Sequence, residues 1–211
     1  MRVKICGVTN IEDGREAVRL GAWAIGLIHH RESPRFCDPG TAAEIGAELR
    51  RLCEVAGVFV NPTLDEVDEA VANAGLSIVQ LNGEEGPSFC TEAARRTGAK
   101  VIKAIHVSSA ADVRGAEVYR TDFHIFDTRR GELRGGTGES FDWELLADRR
   151  SDVPAILAGG LTPDNVAEAI EVAHPYAVDV ASGVEAEPGR KDHALLAAFF
   201  DAARDPAASP R

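Results

Sequence analysis

The sequence predicts an α/β protein folded as a single (βα)8 TIM barrel, and three observations carry that reading. Short apolar runs alternate with amphipathic stretches of helical length about eight times along the chain, the number of units that closes a parallel barrel. Several of these runs, such as AWAIGLI at 22–28, are continuously apolar, which suits strands covered on both faces. No linker-like segment breaks the array, so one barrel domain over 1–203 is expected, with the small, polar, proline-bearing sequence RDPAASPR at 204–211 as a frayed tail. An open doubly wound sheet is the alternative, although such sheets seldom need so many evenly spaced units.

The first strand lies within MRVKICGVT at 1–9 and ends at a cysteine and a glycine. Asn10–Leu20 follows as a helix, with Asn10 as N-cap, Glu12 and Asp13 in the first turn, and Gly21 as the stop. After the strand at 22–28, the pattern gives helix Thr41–Leu52, strand Val55–Val60, helix Thr63–Ala74 and strand Ser77–Leu81. Helix Pro87–Thr97 and strand Lys100–Ile105 come next, then a weak helical signal between Ser108 and Tyr119. Strand Phe123–Phe126 runs into Asp127 and the polar loop TRRGELRGGTGES. The remaining elements are a helix from Phe141, strand Ala155–Ala158, helix Pro163–Ala173, strand Ala177–Val180 and helix Asp192–Ala203.

A chain of 211 residues with 45% hydrophobic and 27% charged residues is globular in composition and long enough to bury a large core. The formal net charge of −11 disfavours nucleic acid or an anionic membrane as partner, because phosphate backbones are held chiefly by clustered Lys and Arg. No apolar run is long enough to cross a bilayer, and no signal peptide opens the sequence, so a cytoplasmic protein is expected. The four cysteines, Cys6, Cys37, Cys53 and Cys90, lack CxxC spacing, which suits a reducing compartment better than a disulfide scaffold. Monomer and homodimer fit equally well, because barrel exteriors and dimer contacts are both built from amphipathic helices.

In a parallel barrel, chemistry gathers where strands end and loops begin. Strand alternation puts Arg2, Lys4 and Cys6 on one face, and neighbouring positive charge lowers a thiol's pKa toward a usable thiolate; a small inert core cysteine has the same signature. Asp127 closes its strand at the edge of an apolar interior, where a carboxyl can be held protonated as an acid; a solvated aspartate reads the same way. Gly159, Gly160 and Gly183 follow the last two strands, where barrels commonly bind phosphate through backbone N–H groups; the Gly159–Gly160 pair is equally a plain turn. Gly135, Gly136 and Gly138 lack the Lys-Ser or Lys-Thr of a P-loop and read as a lid beside Asp127 or an ordinary surface loop. His29 and His30 have no HxxxH partner, so no metal is assigned.

Taken in order, KICGVT, SPRF, GVFVN, QLNG, GGTGESFDW, AGGLTPDNV and DVASGVEAEPGRKD closely resemble the phosphoribosylanthranilate isomerases of tryptophan biosynthesis, over nearly the whole chain. The resemblance implies a cofactor-free barrel acting on a small phosphorylated sugar by an Amadori rearrangement. It implies Cys6 as general base, Asp127 as general acid, Arg35 as the grip on the anthranilate carboxylate, Asp179 as a contact to the substrate amine or sugar hydroxyls, and Gly159, Gly160, Ser182 and Gly183 as phosphate contacts. The chain departs from the family pattern in three places: Asn82 where QLHG is usual, His29 and His30 where an aromatic is usual, and Ala181 in DVASGVE. Two other readings share the architecture: a barrel rearranging a different N-glycoside, and a non-catalytic phosphate-ligand binder.

Overall fold

The computed structural model describes residues 1–128, 143–146 and 149–204. Its strands are β1 (Arg2–Cys6), β2 (Ala24–Ile28), β3 (Glu54–Phe59), β4 (Ile78–Leu81), β5 (Lys100–Val107), β6 (Phe123–Thr128), β7 (Ala155–Leu157) and β8 (Ala177–Val180), which form a closed barrel in chain order. All neighbours pair in parallel, and β8 returns to β1 with Arg2 opposite Ala177 and Lys4 opposite Asp179. The helices α1 (Ile11–Leu20), α2 (Pro39–Leu49), α3 (Leu64–Ala74), α4 (Pro87–Thr97), α5 (Ala110–Gly115), α6 (Val166–Ala173) and α7 (His193–Arg204) occupy the connections. The predicted eight-stranded barrel is therefore what the chain forms.

Local signals set the helix starts. Asn10 accepts from the Asp13 N–H, and Thr63 exchanges hydrogen bonds with Glu66 in a capping box. Asp38 caps α2 through the Gly40 and Thr41 N–H groups, with Pro39 in the first turn, so this helix starts two residues before the predicted Thr41. The helix expected from Phe141 is, in its described part, a single 3₁₀ turn at Trp143–Leu146. The glycine-rich lid reading at 135, 136 and 138 and the tail beyond 204 lie outside the described residues. One feature had no sequence signal: after β8 a 3₁₀ turn at Ser182–Val184 leads into a small antiparallel hairpin, β9 (Glu185–Glu187) and β10 (Arg190–Lys191).

Strand alternation sorts the apolar side chains into two layers. Ala56, Ile78, Ile102, Ala104, Ile125 and Ile156 fill the barrel interior, while the larger core lies between the sheet and its helices. At the amino end of the strands, Trp23 meets Phe123 and Tyr176 edge-on at 5.5 and 5.8 Å, and the Arg2 guanidinium lies 4.3 Å from the Tyr176 ring centre. This aromatic plug closes the bottom of the barrel, leaving the carboxyl ends of the strands as the mouth.

Among the described residues, a buried ion pair lies in the outer layer. Lys103 points out from β5, and its ammonium donates to Glu85 at 2.7 Å and to the Leu81 and Gly83 carbonyls at 3.2 and 2.6 Å. The other Glu85 oxygen accepts from the Asn61 and Gly83 N–H groups, so one carboxylate fastens the loops after β3 and β4 to β5.

Candidate active site

Cys6 is the last residue of β1, and burial leaves it 6% exposed at the floor of the mouth. Two residues below, Lys4 is fully buried and donates to Asp179 on β8 at 2.8 Å, as their register pairing requires. Burial works against the Lys4 ammonium, but Asp179 and Cys6 beside it outweigh burial and hold its pKa above the ordinary lysine value. Burial also pushes the Cys6 thiol up; Lys4 and Lys191 pull it down, Asp179 pushes it up, and the net direction is up.

This corrects the expectation of a thiol lowered by two cations. Arg2 shares the face of Cys6 but sits in the plug at the other end of the strand, roughly 13 Å away at the usual strand rise. Lys4 is close, but its charge is shared with Asp179 and the thiol is desolvated.

Arg35, from the loop after β2, reaches β1 because Gly7 leaves room for it. A side chain at Gly7 would place its Cβ 2.7 Å from Arg35 Cδ, and the backbone there has φ +73°, which only glycine adopts readily. The Arg35 guanidinium forms a two-point pair with Glu185: Nε lies 2.8 and 3.0 Å from the two oxygens, and Nη2 lies 2.6 Å from Oε2. Hydrogen bonding to Glu185 raises the Arg35 pKa further. Burial raises the Glu185 pKa, but Arg35 and Lys191 outweigh it and keep the carboxyl below its usual range.

Asp127 is the fifth residue of β6 and half-buried, opposite His106 on β5. It shares the inward face of Phe123 and Ile125, so Asp127 and Cys6 both face inward at the mouth on strands separated by β7 and β8. Asn82 stands nearby at the end of β4, taking a hydrogen bond from Gln80 Nε2 at 2.9 Å, and its carbonyl lies 3.3 Å from His106 Nε2. His29 stacks on Phe59 at 4.9 Å, and His30 pairs with Glu32.

The loops after β7 and β8 meet at the predicted glycines. Gly159 and Gly160 turn the chain at φ +88° and +66°, and Gly160 and Ser182 are exposed. A Cβ at Gly183 would lie 1.9 Å from the Leu161 carbonyl oxygen, so only glycine lets the two loops touch backbone to backbone. In parallel barrels, the loops after the last two strands commonly bind phosphate through main-chain N–H groups.

The structure thus gathers Cys6, Arg35, Asp127, Asp179, Gly159, Gly160, Ser182 and Gly183 at one end of one barrel. Sequence reasoning assigned no role to Glu185 or Lys191. Both lie within DVASGVEAEPGRKD, and the signal was the pair of opposite charges six residues apart in that stretch. The Lys191 ammonium donates to the Cys6 carbonyl at 2.7 Å, the Ala181 carbonyl at 3.1 Å and Glu185 Oε1 at 2.9 Å.

A family model described as N-(5'phosphoribosyl)anthranilate (PRA) isomerase matches residues 3–202. The N-(5'-phosphoribosyl)anthranilate isomerase of Geobacter metallireducens is 43% identical over 204 residues, spanning 97% of this chain and 99% of that protein. The crystal structure of phosphoribosyl anthranilate isomerase from Thermotoga maritima is similar at a TM-score of 0.87 and 40% identity, over 97% of this chain and 98% of that one. A phosphoribosyl anthranilate isomerase in complex with reduced 1-(o-carboxyphenylamino)-1-deoxyribulose 5-phosphate is similar at 0.84 and 38% identity, over the same shares of the two chains. With the barrel fold and nearly the full length in agreement, the chain belongs to the N-(5'-phosphoribosyl)anthranilate isomerase family.

Proposed function

We propose that the chain converts N-(5-phosphoribosyl)anthranilate into 1-(2-carboxyphenylamino)-1-deoxyribulose 5-phosphate, a step of tryptophan biosynthesis, using Asp127 and Cys6 as acid and base. The observation that carries this reading is the placement of those two side chains, both facing inward at the mouth of a barrel whose last two loops meet backbone to backbone at Gly183. The four free cysteines fit an enzyme working in a reducing cytoplasm, as a monomer or a homodimer.

Asp127 donates a proton to the furanose ring oxygen as the C1–O bond breaks, and the nitrogen lone pair forms the C1=N bond of an open Schiff base. Cys6, as thiolate, takes the proton from C2; the C–H electrons form the C1=C2 bond and the iminium electrons return to nitrogen. Protonation at C1 and loss of the C2 hydroxyl proton then give the ketose. Arg35 holds the anthranilate carboxylate, Asp179 contacts the amine or the sugar hydroxyls, and Gly159, Gly160, Ser182 and Gly183 hold the phosphate.

A thiol whose pKa lies above its usual range is a strong base once ionised but is mostly protonated at neutral pH, so kcat/KM should rise with pH as the thiolate forms. The test is fluorescence-monitored conversion of freshly generated phosphoribosylanthranilate by the purified protein. Cys6→Ala and Asp127→Ala should each lower turnover at least ~100-fold with the fold intact by circular dichroism. Near-normal turnover in either variant reassigns the chemistry.

A further inference from the structure

The Lys191 ammonium has no solvent exposure and is engaged by three acceptors from different parts of the mouth: the carbonyl of Cys6 at the end of β1, the carbonyl of Ala181 at the end of β8, and the Glu185 carboxylate. Its backbone is fixed as well, because the Lys191 N–H donates to Asp13 on α1 at 2.9 Å. The hairpin of β9 and β10 is what delivers it, with Lys191 brought back opposite Glu185. Closing the barrel does not require this side chain, since β1 and β8 already pair from Arg2 to Ile5. A buried lysine is costly unless it is fully paired, so its placement calls for another reason.

Charge counting supplies one. Glu185 carries one negative charge and touches two cations, Arg35 and Lys191. Arg35 and Glu185 alone would form a neutral pair with no net attraction for an anion. With Lys191 the cluster is +1, and its guanidinium stem lies against Gly7, the residue after Cys6.

We propose that Lys191 is a positioning residue for substrate recognition: it neutralises and orients Glu185, so that Glu185 can aim Arg35 while Arg35 keeps its charge for the carboxylate of the substrate. This rests on the reading that Arg35 meets that carboxylate. Lys191 touches no reacting atom; it acts through Glu185 and through the main chain at Cys6 and Ala181.

The measurement compares kcat and KM for phosphoribosylanthranilate with those for N-(5-phosphoribosyl)aniline, which lacks the carboxylate, in the full chain. Wild type should prefer the carboxylated substrate. Lys191→Met takes the cluster to zero charge and should lose about tenfold or more of that preference, mainly through KM. Lys191→Met with Glu185→Gln returns the cluster to +1, with Arg35 as its one charge facing a neutral amide, and should recover part of the preference. If Lys191→Met proves too unstable to assay, the double variant decides alone: a retained preference for the carboxylated substrate, full or reduced, supports the proposal, and its complete loss overturns it. Wild-type preference that is unchanged in Lys191→Met overturns the role of Lys191 and leaves Arg35 as the carboxylate contact. Equal use of both substrates by wild type overturns the Arg35 reading, and the proposal with it.

Discussion

Replacing Lys4 by Met tests how the protein sets the ionisation of Cys6. Lys4 Nζ and Cys6 Sγ lie 3.1 and 2.9 Å from the same point above Gly26, so they are at most about 6 Å apart. A unit charge at about 6 Å with an effective dielectric near 20 is worth about 3 kcal/mol, or about two units of thiol pKa. Part of this is offset by relaxation of the site once the Lys4–Asp179 contact is gone. A net rise of roughly one to two units is expected, lowering the thiolate fraction near neutral pH about 10- to 100-fold, and turnover with it. The assay is the pH dependence of Cys6 alkylation by iodoacetamide, read on the Cys6 peptide by mass spectrometry so that Cys37, Cys53 and Cys90 do not contribute. Lys4→Met with Asp179→Asn provides a version with no unpaired buried charge. Lys4 pulls the thiol down more than Asp179 pushes it up, so the double variant should also titrate above wild type. An alkylation curve that stays in place, or moves to lower pH, in both variants would falsify the claim that Lys4 stabilises the thiolate.

Lys103→Met leaves Glu85 buried with only its N–H donors, which should cost about 3 kcal/mol and lower the melting temperature by roughly 6–12 °C; adding Glu85→Gln should recover part of the loss, and an unchanged melting temperature would show that the pair contributes nothing. Burial raises the thiol pKa at all four cysteines, to about 12 at Cys37 and about 11 at Cys53. Unfolded thiols lose their protons from about pH 8.5 while the folded ones keep them, so each contribution is fully present below that pH and declines by up to about 1.4 kcal/mol per pH unit above it. Urea unfolding at pH 8 and pH 10 reads this, and Cys37→Ala with Cys53→Ala should flatten the decline.

The strands and most helices were legible because their signals are local. Asn10, Thr63 and Pro87 mark helix starts, and Ala177–Val180 was placed to the residue by its apolar run between turn residues. The hairpin at 185–191 was not, because its strands are two and three residues long, polar and mostly exposed, so no alternation distinguishes them from a loop. Alternation grouped Cys6 with Arg2 and Lys4 on one face, but that this face and Asp127 point inward is set by the closed sheet. What alternation cannot supply is contact across the closure of the barrel: Lys4 meets Asp179 from 175 positions away, and Arg35 meets Glu185 from 150. The direction of the Cys6 shift failed for the same reason. A sequence shows that a cation is two residues away, but it does not show that the cation is already paired and the sulfur already dry.

A chain with a net charge of −11 has to attract a substrate bearing a phosphate and a carboxylate. Exposed lysines at the mouth would raise the local potential, but they would be screened by salt and would aim at nothing in particular. The arrangement at Arg35 differs in kind. Each cation there is buried against a carboxylate, which fixes its geometry, and the surplus of one positive charge comes from counting residues in the cluster rather than from leaving any of them loose. At the proposed phosphate end, Gly183 lets two loops touch main chain to main chain. Recognition built this way should depend weakly on ionic strength, because its charges are fixed inside the protein, close to where the substrate's anionic groups would bind. The acidic remainder of the surface is then free to serve solubility without weakening the site.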